Sequence, residues 1–421
     1  MKTLHILTIL LIAAMLATTP QTVHAATITV TNTNDSGPGS LRQAIADAAP
    51  GDTIDFSVTG TITLTSGELF IDKNLTITGP GADQLAIDGN SNGRVFFINS
   101  GTVTLSGLTI QNGRRFDPGG DHGGGIYNNS TLSIDECIIT GNDAARFGGG
   151  IRNVDSLTIT NSTISNNSAQ ESGAGSGGGI YSDTGSTTII DKVTFSNNDA
   201  STNGGGIFND GTLTINNSTL SGNSAFYSGG GIYNSGTLTI NNGTLSGNSA
   251  TNFFGGGIYN SGTLNLKNSI LANSPAGEDC YKAGGSIGTN TNNLIEDNAA
   301  GGNACGTPDV TADPDLGALA DNGGNTETHA LLSGSPAIDA GDNATCESTD
   351  QRGVTRPQYT TCDIGSYERE ASPDDFVITV QTDNSGTSTD LQFTIPTNPD
   401  QGLTYNYDVD CDNDGSNETT G

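Results

Sequence analysis

Six near-copies of one motif dominate this chain: GGGIYN at Gly123, GGGIRN at Gly148, GGGIYS at Gly177, GGGIFN at Gly204, and GGGIYN at Gly229 and Gly255. The intervals of 25, 29, 27, 25 and 26 residues are those of a solenoid coil. Within a unit such as 229–254, three short β-prone runs, GGGIYN, GTLTI and GTLSGN, are separated by the turn formers Asn, Gly and Ser. Three strands and three turns per unit predict a rung of a parallel β-helix. A unit this small buries its apolar face only by stacking on its neighbours.

Overlaying the units produces columns of like residues, as expected for positions about one strand spacing, ~4.8 Å, apart. Three apolar columns are Ile126, Ile151, Ile180, Ile207, Ile232, Ile258; Ile134, Ile159, Ile190, Ile215, Ile240, Leu266; and Ile139, Ile164, Phe195, Leu220, Leu245, Leu271. Alternation along a strand points all three inward. A thin core of this kind explains how a chain with 33% hydrophobic residues and no Trp folds. A polar column, Asn142, Asn167, Asn198, Asn223, Asn248 and, after a one-residue deletion, Asn273, reads as a structural asparagine ladder at a turn. The glycine triplets supply backbone conformations closed to other residues, and no Lys or helix start follows them as phosphate binding requires.

Residues 1–25 have the form of a secretory signal: Lys2, an apolar run from Leu4 to Leu16, and a small residue, Ala25, at the end. That run is too short to span a bilayer, and no later segment resembles a transmembrane span. The expected organisation is a signal peptide (1–25), a right-handed parallel β-helix (26–297), a less regular C-terminal region of that helix (298–371), and a partial β-sandwich-like module (372–421). The handedness follows from the bias of parallel crossovers. An amphipathic helix from about Ser40 to Ala48, N-capped by Ser40 and ended by Pro50 and Gly51, is expected to cover the open end of the solenoid. The fold class is thus all-β with one short N-terminal capping helix. The module at 372–421 has too few strands for a stable sheet domain, which suggests a fragment or a truncated second domain.

Cys280 and Cys305 are 25 residues apart, one coil length, which would suit a disulfide between stacked positions. Cys346 and Cys362 would close a short loop. An exported chain permits both bonds, although six cysteines allow other connectivities. Cys137 falls in an inward column with Ser162, Ser218, Gly243 and Ser269 and is expected to be a buried free thiol.

The repeats GGGI, with FSNN at 195–198, resemble the GGAI and FxxN motifs of polymorphic outer membrane proteins and related β-helix surface proteins. GSLRQAI at 39–45 is similar to the N-terminal segment of CSLREA-type bacterial surface proteins. SPAIDAGD, DQRGVTRP and CDIGSYE, within 335–368, resemble the end of the choice-of-anchor Q domain, and 376–421 resembles the opening of a BspA-type module. These resemblances imply a bacterial surface or secreted protein without established catalysis. No LPxTG-like signal, terminal hydrophobic anchor or autotransporter barrel accompanies them.

Parallel β-helices also serve polysaccharide lyases, hydrolases and epimerases acting on uronans, so function has to be sought in outward side chains. Residues 26–421 contain two histidines, His122 and His329, and four lysines. Asp183 and Asp210 hold equivalent turn positions on adjacent coils, with Arg152 and Asp155 one coil earlier, and are the best candidates for a cation site or catalytic pair; their bland reading is ordinary turn residues. Phe116 to His122 loosely resembles an epimerase DPHE run with His displaced and no Glu. The Asp410, Asp412, Asp414, Gly415 spacing suits calcium, but the Glu that would complete the loop is missing. Calcium there is the single cofactor suggested, and no catalytic residue is assigned. An ice-binding Thr array is suggested by Thr212 with Thr214 and Thr237 with Thr239, but is broken at Thr263-x-Asn265 and Ser156-x-Thr158.

With 45 acidic against 14 basic residues, the net charge of −31 repels nucleic acid, anionic membranes and uronans not bridged by calcium. The expectation is therefore an exported, non-enzymatic surface or extracellular protein for adhesion, matrix or structural display, whose partner is a glycan or a protein at the cell surface. Its insertions, such as 169–176, precede the glycine triplets and would crowd one edge of the rod.

Overall fold

The computed structural model describes residues 25–116, 122–170 and 173–370, together with the backbone of two short strands, Asp408–Val409 and Thr419–Thr420. Contacts divide the chain into two units, Met1–Ala371 and Ser372–Gly421. In the second, those two strands pair antiparallel.

The first unit is a right-handed parallel β-helix. Each coil passes through three main sheets in turn. Sheet I has nine strands, from Leu69–Ile71 to Cys280–Lys282, and receives the strand after each glycine triplet. Sheet II has eleven, from Thr27–Val30 to Ser286–Thr291, and sheet III has ten, from Gly60–Thr63 to Leu294–Ile295. A fourth ladder of six two-residue strands, Arg114–Arg115 to Ser249–Ala250, closes the coil before the next triplet. Segments this short carry no periodicity, which is why the sequence shows three strands per unit.

Register follows the repeat: Ile126 lies against Ile151, Ile134 against Ile159 and Ile139 against Ile164, all fully buried. Each such side chain contributes about 1.5–3 kcal/mol by burial. The open N-terminal end is covered by helix α1, Leu41–Asp47. Ser40 caps it by accepting the Gln43 N–H at 3.2 Å, while Leu41, Ala44 and Ile45 face the first coils. Arg42 holds the cap in place by donating to Asp35 Oδ1 and to the Gly67 carbonyl, each at 2.7 Å.

Two rows of buried asparagines run along the interior of the turns. In the first, Asn142, Asn167, Asn198 and Asn223 each donate Nδ2 to Oδ1 of the asparagine one coil on, at 2.9–3.0 Å, ending at Asn248. The same Oδ1 accepts the backbone N–H of the preceding asparagine, and each Nδ2 also reaches a carbonyl such as that of Ile139. Asn273 stands outside this row. It is exposed with φ +61 and donates to Ser246 Oγ, occupying the left-handed turn position held one coil earlier by Gly247. The one-residue deletion shifts the turn rather than closing it up, and the following N–H, of Ser274, turns to Asp279 Oδ1 at 3.0 Å. The second row ends the sheet I strands: Asn128 donates to Asn153 at 2.7 Å, Asn209 to Asn234 at 2.8 Å and Asn234 to Asn260 at 2.7 Å, with Ser182 as its interruption. Its signal in the sequence is the last letter of GGGIYN.

The triplets sit where coils turn tightly against each other. Gly229 has φ +67, open to glycine and costly for other residues. A Cβ on Gly206 would lie 2.7 Å from the Gly231 carbonyl oxygen, so its backbone meets the next coil directly.

The coils end near Leu294–Ile295, with a last bridge from Leu294 to Val310. The chain then forms an antiparallel hairpin, Leu316–Ala320 with Thr328–Leu331, and runs back along the outer face of sheet III. Thus most of 298–371, expected as continuing helix, is a strap lying over earlier coils. Asp342 N–H donates to Asn268 Oδ1 at 2.9 Å, Glu347 N–H to Asn242 Oδ1 at 3.1 Å, and Gln351 reaches Thr194 and Thr219. The DQRGVTRP and CDIGSYE segments form its internal lock. Arg356 pairs with Glu368 at 3.4 Å and Arg352 with Asp350 at 2.8 Å, all four nearly inaccessible. Burial pushes the Glu368 and Asp363 carboxyls up and the Arg356 guanidinium down in pKa, with backbone N–H donors and the ion pair opposing that cost.

Candidate functional site

Alternation in sheet I places the residue after each buried strand-opening residue (Leu69, Phe96, the six isoleucines and Cys280) outside. In direct register along the rod these are Phe70, Phe97, Tyr127, Arg152, Tyr181, Phe208, Tyr233, Tyr259 and Tyr281. Every position but one is aromatic. Tyr181, Phe208, Tyr233 and Tyr259 stack nearly parallel, with centroids 4.7–4.8 Å apart. Toward the N-terminal end, Phe70, Phe97 and Tyr127 meet edge to face. The parallel rings cover each other's faces and leave edges and hydroxyls to solvent. Burial, with the nearby Asp183 and Asp210 charges, pushes the Tyr181 phenol up to about 12, so it stays a neutral donor and acceptor.

Arg152 fills the non-aromatic position. It donates Nε to Asp183 Oδ2 at 2.8 Å and Nη2 to Oδ1 at 3.0 Å, a bidentate pair across adjacent coils. Burial disfavours its charge, but the Asp183 bonds prevail and raise its pKa. Arg94, buried beneath Phe97 and Tyr127, pairs with Glu68 at 3.2 Å; burial lowers its pKa to about 10.

The carboxylates singled out in the sequence are engaged separately. Asp183 faces Arg152, and Asp155 is exposed. Asp210 accepts from Thr184 at 2.6 Å and from Ser235. Among the described residues no group of three or more His, Cys, Asp or Glu is arranged to hold a metal. Asp410, Asp412 and Asp414 lie outside the described residues, as do residues 117–121 of the epimerase-like run. His122, at the end of that run, stacks on Phe147 at 5.0 Å, and burial with the nearby Arg152 lowers its pKa to about 4.

Beside the ladder, across the glycine triplets, a second set of rings rises from the loops: Phe226, Tyr227, Phe253 and Phe254. Phe226 and Phe253 are about half exposed, at 49% and 54%. Phe254 returns to the ladder by stacking on Tyr281 at 4.3 Å. Between the two rows lies a groove of about 410 Å³, walled by Phe147, Tyr181 and Phe208 on one side and Tyr227 and Ala174 on the other, with Ser176, Thr202 and Asn203 between. A depression of about 330 Å³ adjoins it beyond Tyr227. The sequence carries the aromatic position in its GGGI(Y/F)x motif, where the structural role of the neighbouring Gly and Ile already accounts for the repeat.

The cysteines expected to pair are within disulfide reach: Cα atoms are 6.0 Å apart for Cys280 and Cys305 and 6.7 Å for Cys346 and Cys362. Cys137 is buried and unpaired, and burial pushes its thiol up to about 12. Among the described residues no helix is long and apolar enough to cross a membrane.

Curated proteins offer no sequence match. Among solved structures, the chain is similar to the pectate lyase Pel9A, at 14% identity and a TM-score of 0.45, over 82% of this chain and 96% of that one. It is also similar to the ORF18 protein of Geobacillus virus E2, at 12% identity and a TM-score of 0.33, over 64% and 62% of the two chains. The model of the right-handed β-helix region matches residues 53–274, and the chain belongs to that family.

Proposed function

We propose that this chain is an exported, non-enzymatic surface or extracellular protein whose rod serves adhesion, matrix or structural display. The observation that carries the reading is the state of the candidate carboxylates. Asp183 is neutralised by Arg152, and Asp210 is occupied by Thr184 and Ser235, which leaves the two without the shared opening that a catalytic pair or bridging cation needs. Export is supported by the apolar leader-like run at 4–16 and by two cysteine pairs at disulfide distance. The resemblances to choice-of-anchor Q, CSLREA-type and BspA-type segments point the same way.

The competing reading is a lyase, hydrolase or epimerase of uronans, and the feature in its favour is His122, neutral at pH 7 beside Arg152. Incubating the purified protein with pectate, alginate and other uronans, with and without calcium, separates the two. No turnover, with binding on a glycan or host-cell array, supports display. Turnover that disappears in Asp183→Ala or Asp210→Ala overturns it.

A further inference from the structure

The ligand-facing feature of this rod is the groove between its two aromatic rows, and we infer that it binds a neutral polysaccharide chain lying along the helix axis. The inference deepens the display reading and rests on it.

Charge is the first argument. In a chain of net charge −31, none of the described residues lining the groove is an Asp, Glu, His, Lys or Arg. A cation beside its wall, Arg152 at 5.6 Å from the Phe147 ring, is already paired with Asp183, so a polyanion would meet the surrounding field with little to offset it, and a polycation would find no carboxylate among the described lining residues. An uncharged ligand avoids both difficulties.

Shape and chemistry supply the second. The ladder wall offers ring edges and the Tyr181 hydroxyl, while Asn203 adds a short polar group. The opposite wall is different. Tyr227 is met by Phe226 at 66° and by Phe253 at 55°, so no parallel ring covers its face. A pyranose has the matching character, with C–H groups over its faces and hydroxyls around its rim. One aromatic face with polar groups opposite is a common composition for small-ligand sites, where apolar area gives affinity and a few polar atoms fix orientation.

Repetition is the third. The ladder continues past the groove through Tyr233, Tyr259 and Tyr281 at one ring per coil, and Phe253 continues the facing row up to Phe254, which crosses to stack on Tyr281. A site extended along the axis suits a polymer better than a single sugar, and clustering of loops on one edge is the usual arrangement for solenoid binding.

The test is affinity electrophoresis of the purified protein in gels containing soluble neutral polysaccharides (a galactomannan, a xyloglucan, a mixed-linkage β-glucan) or pectate and alginate, with reducing ends measured in parallel. Tyrosine fluorescence gives a second readout, undisturbed because the chain has no Trp. Retardation by a neutral polymer, weakened about tenfold or more in Tyr227→Ala and unchanged in Leu332→Ala, is the expected result. Leu332 is exposed on the strap, away from the groove, and circular dichroism confirms that each variant is folded. Phe208→Ala serves as the second groove variant. No retardation by any neutral polymer, retardation by uronans instead, indifference to both groove variants, or a concentration-dependent dimer that Tyr227→Ala abolishes would each overturn the inference. Cleavage of a bound neutral polymer would sink the non-enzymatic reading and leave the groove assignment standing; absence of both binding and cleavage would do the reverse.

Discussion

Gln351 donates its side-chain N–H to Thr194 Oγ1 at 2.9 Å, joining residues 157 positions apart in sequence. Its Oε1 accepts from Thr219 on the next coil at 2.7 Å, and both threonines are fully buried. One side chain therefore holds the strap across two coils. Gln351→Ala leaves those hydroxyls short of partners and is expected to cost about 1–3 kcal/mol. Limited proteolysis checks it: cleavage within 298–370 should accelerate well before the coils themselves are cut.

The two asparagine environments should respond differently to substitution. Asn198→Ala takes the acceptor from the buried Asn167 backbone N–H, one of two acceptors from the Asn167 Nδ2 and a donor from the Ile164 carbonyl, and about 3 kcal/mol of destabilisation is expected. Asn273→Gly, at an exposed left-handed position, should leave the thermal midpoint nearly unchanged. Equal losses in the two variants would mean that Asn273 belongs to the buried row after all.

Lys192 adopts φ +58 in a turn row where Asn161, Asn217, Asn242 and Asn268 occupy four other coils and Glu136 a fifth. A lysine bears a left-handed penalty there that asparagine offsets through its side chain. Lys192→Asn is expected to stabilise by about 0.5–1 kcal/mol in chemical denaturation.

Acid should weaken the fold before carboxylates protonate. His329 is buried with Nδ1–H donating to the Gly317 carbonyl at 2.7 Å and Nε2 accepting from Ser221 at 2.9 Å, a neutral tautomer, and burial lowers its pKa. His122 is lowered to about 4. The unfolded chain binds these protons first, near pH ~6.5, so stability is complete above that pH and declines as pH falls toward the folded values. Thermal midpoints from pH 7.5 to 4 should drop, with a shallower slope in His329→Gln.

Peptide mapping under non-reducing conditions should find Cys280 joined to Cys305 and Cys346 to Cys362. Cys137, with its thiol pushed up to about 12, should label with a thiol reagent after unfolding and not before. A bridge involving Cys137 would contradict the inward placement of its column.

What the sequence made legible is what repeats locally. Ile126 and its equivalents could be placed inward from spacing alone, and the Asn142 to Asn248 row from alignment, because stacked coils convert a linear period into contacts. The Asn128 row and the Tyr181 row are equally periodic, but a glycine triplet precedes their members and accounts for the repeat by itself. The strap was not legible for a different reason. Its partners Thr194, Thr219 and Thr244 look like ordinary strand residues, and nothing near Gln351 or Ser366 identifies the coil each will meet. Spacing places Asp183 and Asp210 as neighbours in the stack, but the side chain that decides the chemistry of Asp183, Arg152, acts through geometry that spacing alone does not give.

The strap also constrains how this rod can evolve. Coils added before Glu136 would lengthen the molecule freely, since Asn325, bonded to Glu136, marks the far reach of the returning chain. A coil duplicated between Thr194 and Asn268 would instead displace every later anchor by one strand spacing, ~4.8 Å, and the same strap could no longer meet Thr194 and Asn268 together. The returning segment thus works as a ruler, setting the number of repeats beneath it while leaving the count elsewhere open to expansion and loss.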